Sequence, residues 1–247
     1  WDDTYTAKDM PLPENFRAKH PFDHGNFSGR DEMLNPWPRK KKDIQRDLVT
    51  YYRVISYMDQ QIGRILDALK QTDPELNNTI IIFTSDHGLA IGSHGLMGKQ
   101  NMYEHTIGIP LLFTGVNIPR GEQRSAQCYL RDLYPTICEL ADVEVLPAVE
   151  ATSLMPILRN ELKEVYPFII GYYHDQQRMI RMQNWKYIYY PKANREQLFH
   201  LSADPHEMRD LSNSKRATRV KEQLREEMIV WLQNHGDSMF SAVNSDE

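Results

Sequence analysis

Long apolar runs are the first thing this sequence lacks. Among the longest in its 247 residues, Ile80–Phe83 and Ile109–Phe113 hold only four and five residues, far short of the roughly 18 needed to span a bilayer. An excess of positive charge is missing too. Lys and Arg number 29 against 34 Asp and Glu, a formal charge of −5, which removes the electrostatic reason to expect a nucleic-acid partner. Two cysteines are too few for a disulfide framework or a cysteine-based zinc site; Cys128 and Cys138 are expected as reduced core residues. No internal repeat is visible. No charged start and apolar core of a secretory leader follow Trp1, so the sequence is expected to be one part of a longer precursor, and it assigns no compartment. What is present is the composition of a folded chain, 40% hydrophobic and 26% charged.

Residues 1–42 read as an extended loop region, because Pro11, Pro13, Pro21, Pro36 and Pro38 interrupt any helix or strand period. The basic run Arg39-Lys40-Lys41-Lys42 is expected as a solvated helix entrance. From Asp43 to about Lys70, Ile44, Leu48, Tyr51, Ile55, Met58, Ile62, Ile65 and Leu69 recur at spacings of three and four, which predicts a helix with one apolar face. Thr79–Thr84 is short, β-branched and apolar on both sides, the pattern of a central parallel strand covered by helices. Further segments at Ile109–Thr114 and Leu130–Ala141 extend an α/β arrangement. Beyond Glu161 the texture changes. Tyr166–Tyr173, Gln177–Met182 and Trp185–Tyr190 read as antiparallel strands, and Arg216 to about Gln233 as a terminal helix. The division expected is residues 1–160 for an α/β part and 161–247 for a small subdomain.

The chemistry concentrates in residues 84–99. Asp86 and His87 follow the apolar strand directly, where α/β sheets place their ligands. Gly88, Gly92 and Gly95 allow tight turns and close backbone approach. His94 comes seven residues after His87, and Lys99 five after that. A carboxylate, two imidazoles and an ammonium suit a divalent cation with an oxyanion substrate. The plainer reading of Asp-His-Gly is a turn in which Asp86 makes an Asx-type hydrogen bond.

With those residues in view, the sequence resembles the sulfatase family of the alkaline-phosphatase-like superfamily over nearly its whole length. Besides Thr79–Lys99, the resemblance rests on Met58-Asp59-Gln60-Gln61-Ile62-Gly63, Tyr103-Glu104-His105, Asp132-Leu133-Tyr134-Pro135-Thr136, Trp185-Lys186-Tyr187-Ile188 and Asp204-Pro205-His206-Glu207. It implies an alkaline-phosphatase-like α/β sandwich with a mainly parallel sheet, present in part, and a small C-terminal antiparallel subdomain with a helix. It also implies that Asp86 and His87 are metal ligands and that Lys99 and His94 contact substrate or nucleophile. The metal implied is calcium, with Mn²⁺ or Zn²⁺ as alternatives because His87 supplies nitrogen. The activity implied is hydrolysis of sulfate monoesters on a small molecule or glycan, with sulfur attacked by a hydrated formylglycine. The family is often periplasmic, secreted or lysosomal.

The sequence departs from the family in one large respect. The formylglycine motif Cys/Ser-x-Pro-x-Arg matches neither Cys128 nor Cys138, and Asp2-Asp3 follows no apolar strand, so it is not taken as the family's metal-binding acidic pair. The nucleophile is expected outside this chain, in an N-terminal half that acts as its partner, and the chain alone is expected to be inactive. The family's leaving-group histidine falls ahead of Trp1, which leaves His20 and His24 as expected solvated loop residues. Two rivals share parts of this pattern: a phosphonate monoester or phosphodiester hydrolase of the same superfamily, and a non-catalytic α/β module that binds a ligand.

Overall fold

In a computed structural model, residues 4–240 are described; the Asp2-Asp3 pair lies outside them. The first long element is α1, Lys41–Thr72. Its opening turns bury Ile44, Leu48 and Val49 against Met10, Ile91 and Met97. Farther along, the same apolar stripe emerges: Ile55, Met58 and Ile65 are 39%, 47% and 68% exposed. Asp73 closes the helix and its carboxylate accepts the backbone N–H groups of Asn77 and Asn78, turning the chain into β1, Ile80–Thr84. After the glycine-rich loop come the single turn α2, Glu104–Ile107, and then β2, Leu111–Gly115. Two further helices follow, α3 at Leu133–Leu140 and α4 at Met155–Leu158.

The mixed α/β class agrees with the sequence pattern, but the neighbour of β1 does not. Among the described residues β1 pairs with β2 alone and antiparallel, from Ile80 opposite Gly115 to Thr84 opposite Leu111. Phe83 and Leu112 on this pair are 40% and 56% exposed. A run that is apolar on both faces encodes burial, not the direction of its neighbour, and for that reason the parallel expectation overreached.

The second sheet is a four-stranded antiparallel meander, β3 Ile169–Tyr173, β4 Gln177–Met182, β5 Trp185–Tyr190 and β6 Arg195–His200. One face meets α5, Thr218–Asn234, through Ile180, Tyr187, Leu198, Leu224, Met228 and Leu232. The other face closes on the glycine-rich loop: Met179, Ile188, Tyr190 and Phe199 pack with Ala90, Leu96, Met102 and Tyr103. One apolar cluster therefore crosses the boundary drawn at residue 160. Lys186, fully buried, crosses it as well, 2.6 Å from Glu104 and 2.7 Å from Glu207.

Two expectations about the N-terminal loop are corrected. His20 and His24 are each 2% exposed, packed among Phe22, Phe27 and Tyr103. Arg39 is buried, with its guanidinium 2.6 Å from Glu32 and 4.4 Å above the Trp37 ring. Loop residues that lack a period still bury side chains when the loop wraps a core. Among the described residues no helix is long and apolar enough to cross a membrane.

Candidate active site

The exit of β1 brings three of the four expected residues together, Asp86 and Lys99 each in contact with His87. Asp86 follows Ser85 at the strand end, and its Oδ1 accepts the His87 backbone N–H at 2.9 Å. That bond, with the positive charge of Lys99 nearby, keeps the Asp86 carboxyl below the usual carboxylate range. The His87 ring is fixed at both nitrogens. Nδ1 lies 3.0 Å from the Gly88 carbonyl, which only accepts, so Nδ1 carries the proton. Nε2 then accepts from the Lys99 ammonium at 2.6 Å. The Asp86 bond reaches only the next residue, and the Gly88 N–H goes to the Thr106 carbonyl, so the Asx turn of the plainer reading does not form.

These donors suit one cation. Asp86 Oδ2 and His87 Nε2 are 3.1 Å apart, about the spacing of two ligands on one first-row or calcium ion. The Gly88 carbonyl holds the tautomer whose Nε2 carries the lone pair, the usual outer-sphere support of a histidine ligand, and a cation there would take the place of the Lys99 ammonium on Nε2. The pair is part of a coordination sphere. Among the described residues no group of three or more His, Cys, Asp or Glu gathers for a metal.

Lys99 is aimed by a buried clamp. Residues 90–98 are buried throughout, and their backbone closes on itself through Ala90 N–H to Gly98 O and Gly92 N–H to Leu96 O. Just before Lys99, the Glu32 carboxylate accepts the N–H groups of Met97 and Gly98 at 2.9–3.1 Å. Arg39 neutralises that carboxylate and also donates to the Glu32 carbonyl. The sequence reading missed Glu32 and treated Arg39 as solvated; neither stands in a periodic segment or a motif, so no local signal marked them. Behind the cluster, a Cβ on Gly88 would lie 2.0 Å from the His105 carbonyl oxygen, so the glycine is required by close approach.

His94 is placed elsewhere. It is 3% exposed, stacked 3.9 Å from Tyr103, and its Nε2 has no partner among the described residues. Burial first, then the charges of His20 and Arg17, push its pKa down to about 3. His105 stacks in the same group 5.8 Å from His94. Cys128 and Cys138 are unpaired, Cys138 buried and Cys128 partly so.

The β1–β2 pair with its helices, backed by an antiparallel meander with one helix, is a mixed α/β arrangement of the alkaline-phosphatase-like kind. The comparisons with known proteins agree. The sulfatase profile matches residues 4–143, and a second profile, N-sulphoglucosamine sulphohydrolase C-terminal, matches residues 92–234. The chain belongs to the sulfatase family.

Relatives include arylsulfatase K of Gallus gallus, 35% identical, over 70% of this chain and 35% of that protein. The choline-sulfatase of Rhizobium meliloti is 32% identical, over 83% of this chain and 38% of its own length. Among solved structures, BT4656 in complex with its substrate D-glucosamine-2-N,6-O-disulfate aligns with TM-score 0.70 and 27% identity, over 80% of this chain and 42% of that one. A phosphonate monoester hydrolase from Silicibacter pomeroyi reaches 0.77 at 20% identity, over 97% and 53%, a likeness of fold alone. The chain spans between about a third and a half of the curated relatives it matches. The family is generally metal-dependent.

Proposed function

We propose that this chain supplies the metal-and-sulfate corner of a sulfuric ester hydrolase acting on sulfate monoesters. The observation that carries the reading is the contact of His87 Nε2 with both Lys99 Nζ, at 2.6 Å, and Asp86 Oδ2, at 3.1 Å. Asp86 and His87 would hold a divalent cation, calcium first, with Mn²⁺ or Zn²⁺ next because one donor is nitrogen. When bound, that ion would polarise a sulfate oxygen and neutralise negative charge. Lys99 would meet the same group with its ammonium, stabilising charge as the ester bond breaks. The formylglycine nucleophile and the leaving-group acid belong to residues outside this chain.

Support for an N-terminal partner comes from the uncovered apolar surface. Ile55, Met58 and Ile65 of α1 and Phe83 and Leu112 of the β1–β2 pair lie open, and exposed apolar area on this scale marks a binding face. A sulfated sugar is the substrate class favoured, since the relative BT4656 is in complex with a sulfated glucosamine. Phosphonate monoesters present a similar tetrahedral anion, so turnover of an aryl sulfate and a phosphonate monoester by the complete protein tests the reading. Preference for the sulfate ester is expected; preference for the phosphonate would overturn it. The isolated chain is expected to turn over neither, and robust sulfatase activity from it would contradict the division of labour.

A further inference from the structure

His87 and Lys99 stand on two arms of the glycine-rich loop, residues 86–88 and 97–101, so their contact depends on the register between the arms. A buried side chain sits where the second arm meets α2. Asn101 is 2% exposed, and its backbone N–H and both polar side-chain atoms are engaged. The N–H donates to the Lys99 carbonyl at 2.9 Å. Nδ2 donates to the Gly98 carbonyl at 3.3 Å. Oδ1 accepts twice, from the Tyr103 N–H at 3.2 Å and from the Thr106 hydroxyl at 3.0 Å.

From α2 the connection runs on to the first arm. The Thr106 carbonyl accepts the Gly88 N–H at 2.8 Å, and the Gly88 carbonyl accepts His87 Nδ1 at 3.0 Å. His87 Nε2 in turn accepts from Lys99 Nζ at 2.6 Å. The hydrogen bonds thus close a circuit through Lys99, His87, Gly88, Thr106 and Asn101, and back to Lys99. The chemistry of Asn101 is dictated by its partners: Oδ1 faces two donors and Nδ2 faces a carbonyl. An aspartate of the same shape would set oxygen against the Gly98 carbonyl and bury a charge. Thr106 is 4% exposed, so water does not readily replace the hydroxyl bond it gives to Asn101.

We propose that Asn101 is a positioning residue for Lys99: through Thr106 and Gly88 it sets the register at which the Lys99 ammonium meets His87 Nε2. It touches neither substrate nor cation and acts only through the two arms it joins. Its consequence for turnover rests on the function proposed above, in which Lys99 meets the sulfate group, and a misplacement of about 1 Å there costs on the order of 10²-fold in rate.

The test combines the ¹⁵N resonance of His87 Nε2 in the 247-residue chain with turnover by the complete protein. Lys99→Ala marks where the resonance lies once the contact is lost. Asn101→Asp and Thr106→Val are expected to move it toward that position, and Thr106→Ser, which keeps the hydroxyl, to leave it in place. Thr106→Val decides alone if Asn101→Asp does not fold. In the complete protein, Thr106→Val is expected to lower kcat about tenfold or more, with Thr106→Ser recovering it. In the Lys99→Ala background the same change is expected to cost less than about twofold, since the group it positions is gone; a merely structural defect would cost the same in both. Near-normal turnover by Lys99→Ala would sink the functional reading, and the His87 resonance would then decide the positioning claim by itself. That claim is overturned by a resonance unmoved in Thr106→Val, by a change that Thr106→Ser does not reverse, or by equal kcat losses with and without a functional Lys99.

Discussion

Glu32 shows how much of this site depends on side chains that never touch a ligand. Its carboxylate is 1% exposed, ion-paired to a fully buried Arg39, and bonded to the two amides that precede Lys99. Removing one member of a buried pair strands the other charge, at a cost of about 3–5 kcal/mol. Glu32→Ala is therefore expected to lower unfolding free energy by that amount in urea titration, and replacement of both members to cost less than the sum of the single changes. Additive losses would mean the two do not act as a pair. At this scale the sequence was informative where chemistry repeats a known order: Asp86, His87 and Lys99 stand together as their spacing implied. It was uninformative for Glu32 and Arg39, whose partners in the glycine-rich loop lie 65 and 56 residues away in the chain. For His94 the resemblance implied contact with substrate or nucleophile, and the structure shows the ring buried and stacked on Tyr103.

The elements that frame the site are joined by backbone-to-backbone approach and by buried rings, and each joint makes a prediction. Gly88→Ala would force a methyl against the His105 carbonyl, 2.0 Å away, with no flexible side chain to yield. The variant is expected to lose about 1–3 kcal/mol or more, read as a lower Tm; an unchanged Tm would show that the β1 exit and α2 are not tightly docked. The second joint is the histidine group. Burial lowers the pKa of His20 to about 4 and those of His24 and His94 to about 3. Below the unfolded value near 6.5 the unfolded chain binds more protons than the folded one, so stability falls as pH drops from 6.5 toward 4. Each fully coupled ring contributes up to about 1.4 kcal/mol per pH unit. Denaturation measured between pH 7 and 4 should show this slope, and His24→Phe should flatten it; a slope unaffected by that change would contradict the assignment. Element identity was legible from sequence for α1, β4, β5 and α5, where period and flanking turns agree. β6 was missed because Arg195-Glu196-Gln197 opens it without alternation, and the direction of β2 is not encoded in composition.

For the whole molecule, buried contacts run across the boundary expected at residue 160. Lys186 of β5 reaches Glu104 of α2 and Glu207 beyond β6, and also donates to the Met102 carbonyl at 3.1 Å. Lys186→Met would leave two carboxylates facing each other in a buried setting, where burial already pushes Glu207 upward. The chain is expected to unfold in one transition, and the variant in one transition at lower temperature; two separate transitions in the unmodified chain would mean the subdomain folds on its own. On the proposed function, the open apolar stripe of α1 would be covered by the partner that carries the nucleophile. The most direct measurement is sulfate-ester turnover by the complete protein with Lys99 intact and with Lys99→Ala. The account predicts a fall of about 10²–10³-fold in kcat, and near-normal turnover by the variant would contradict it.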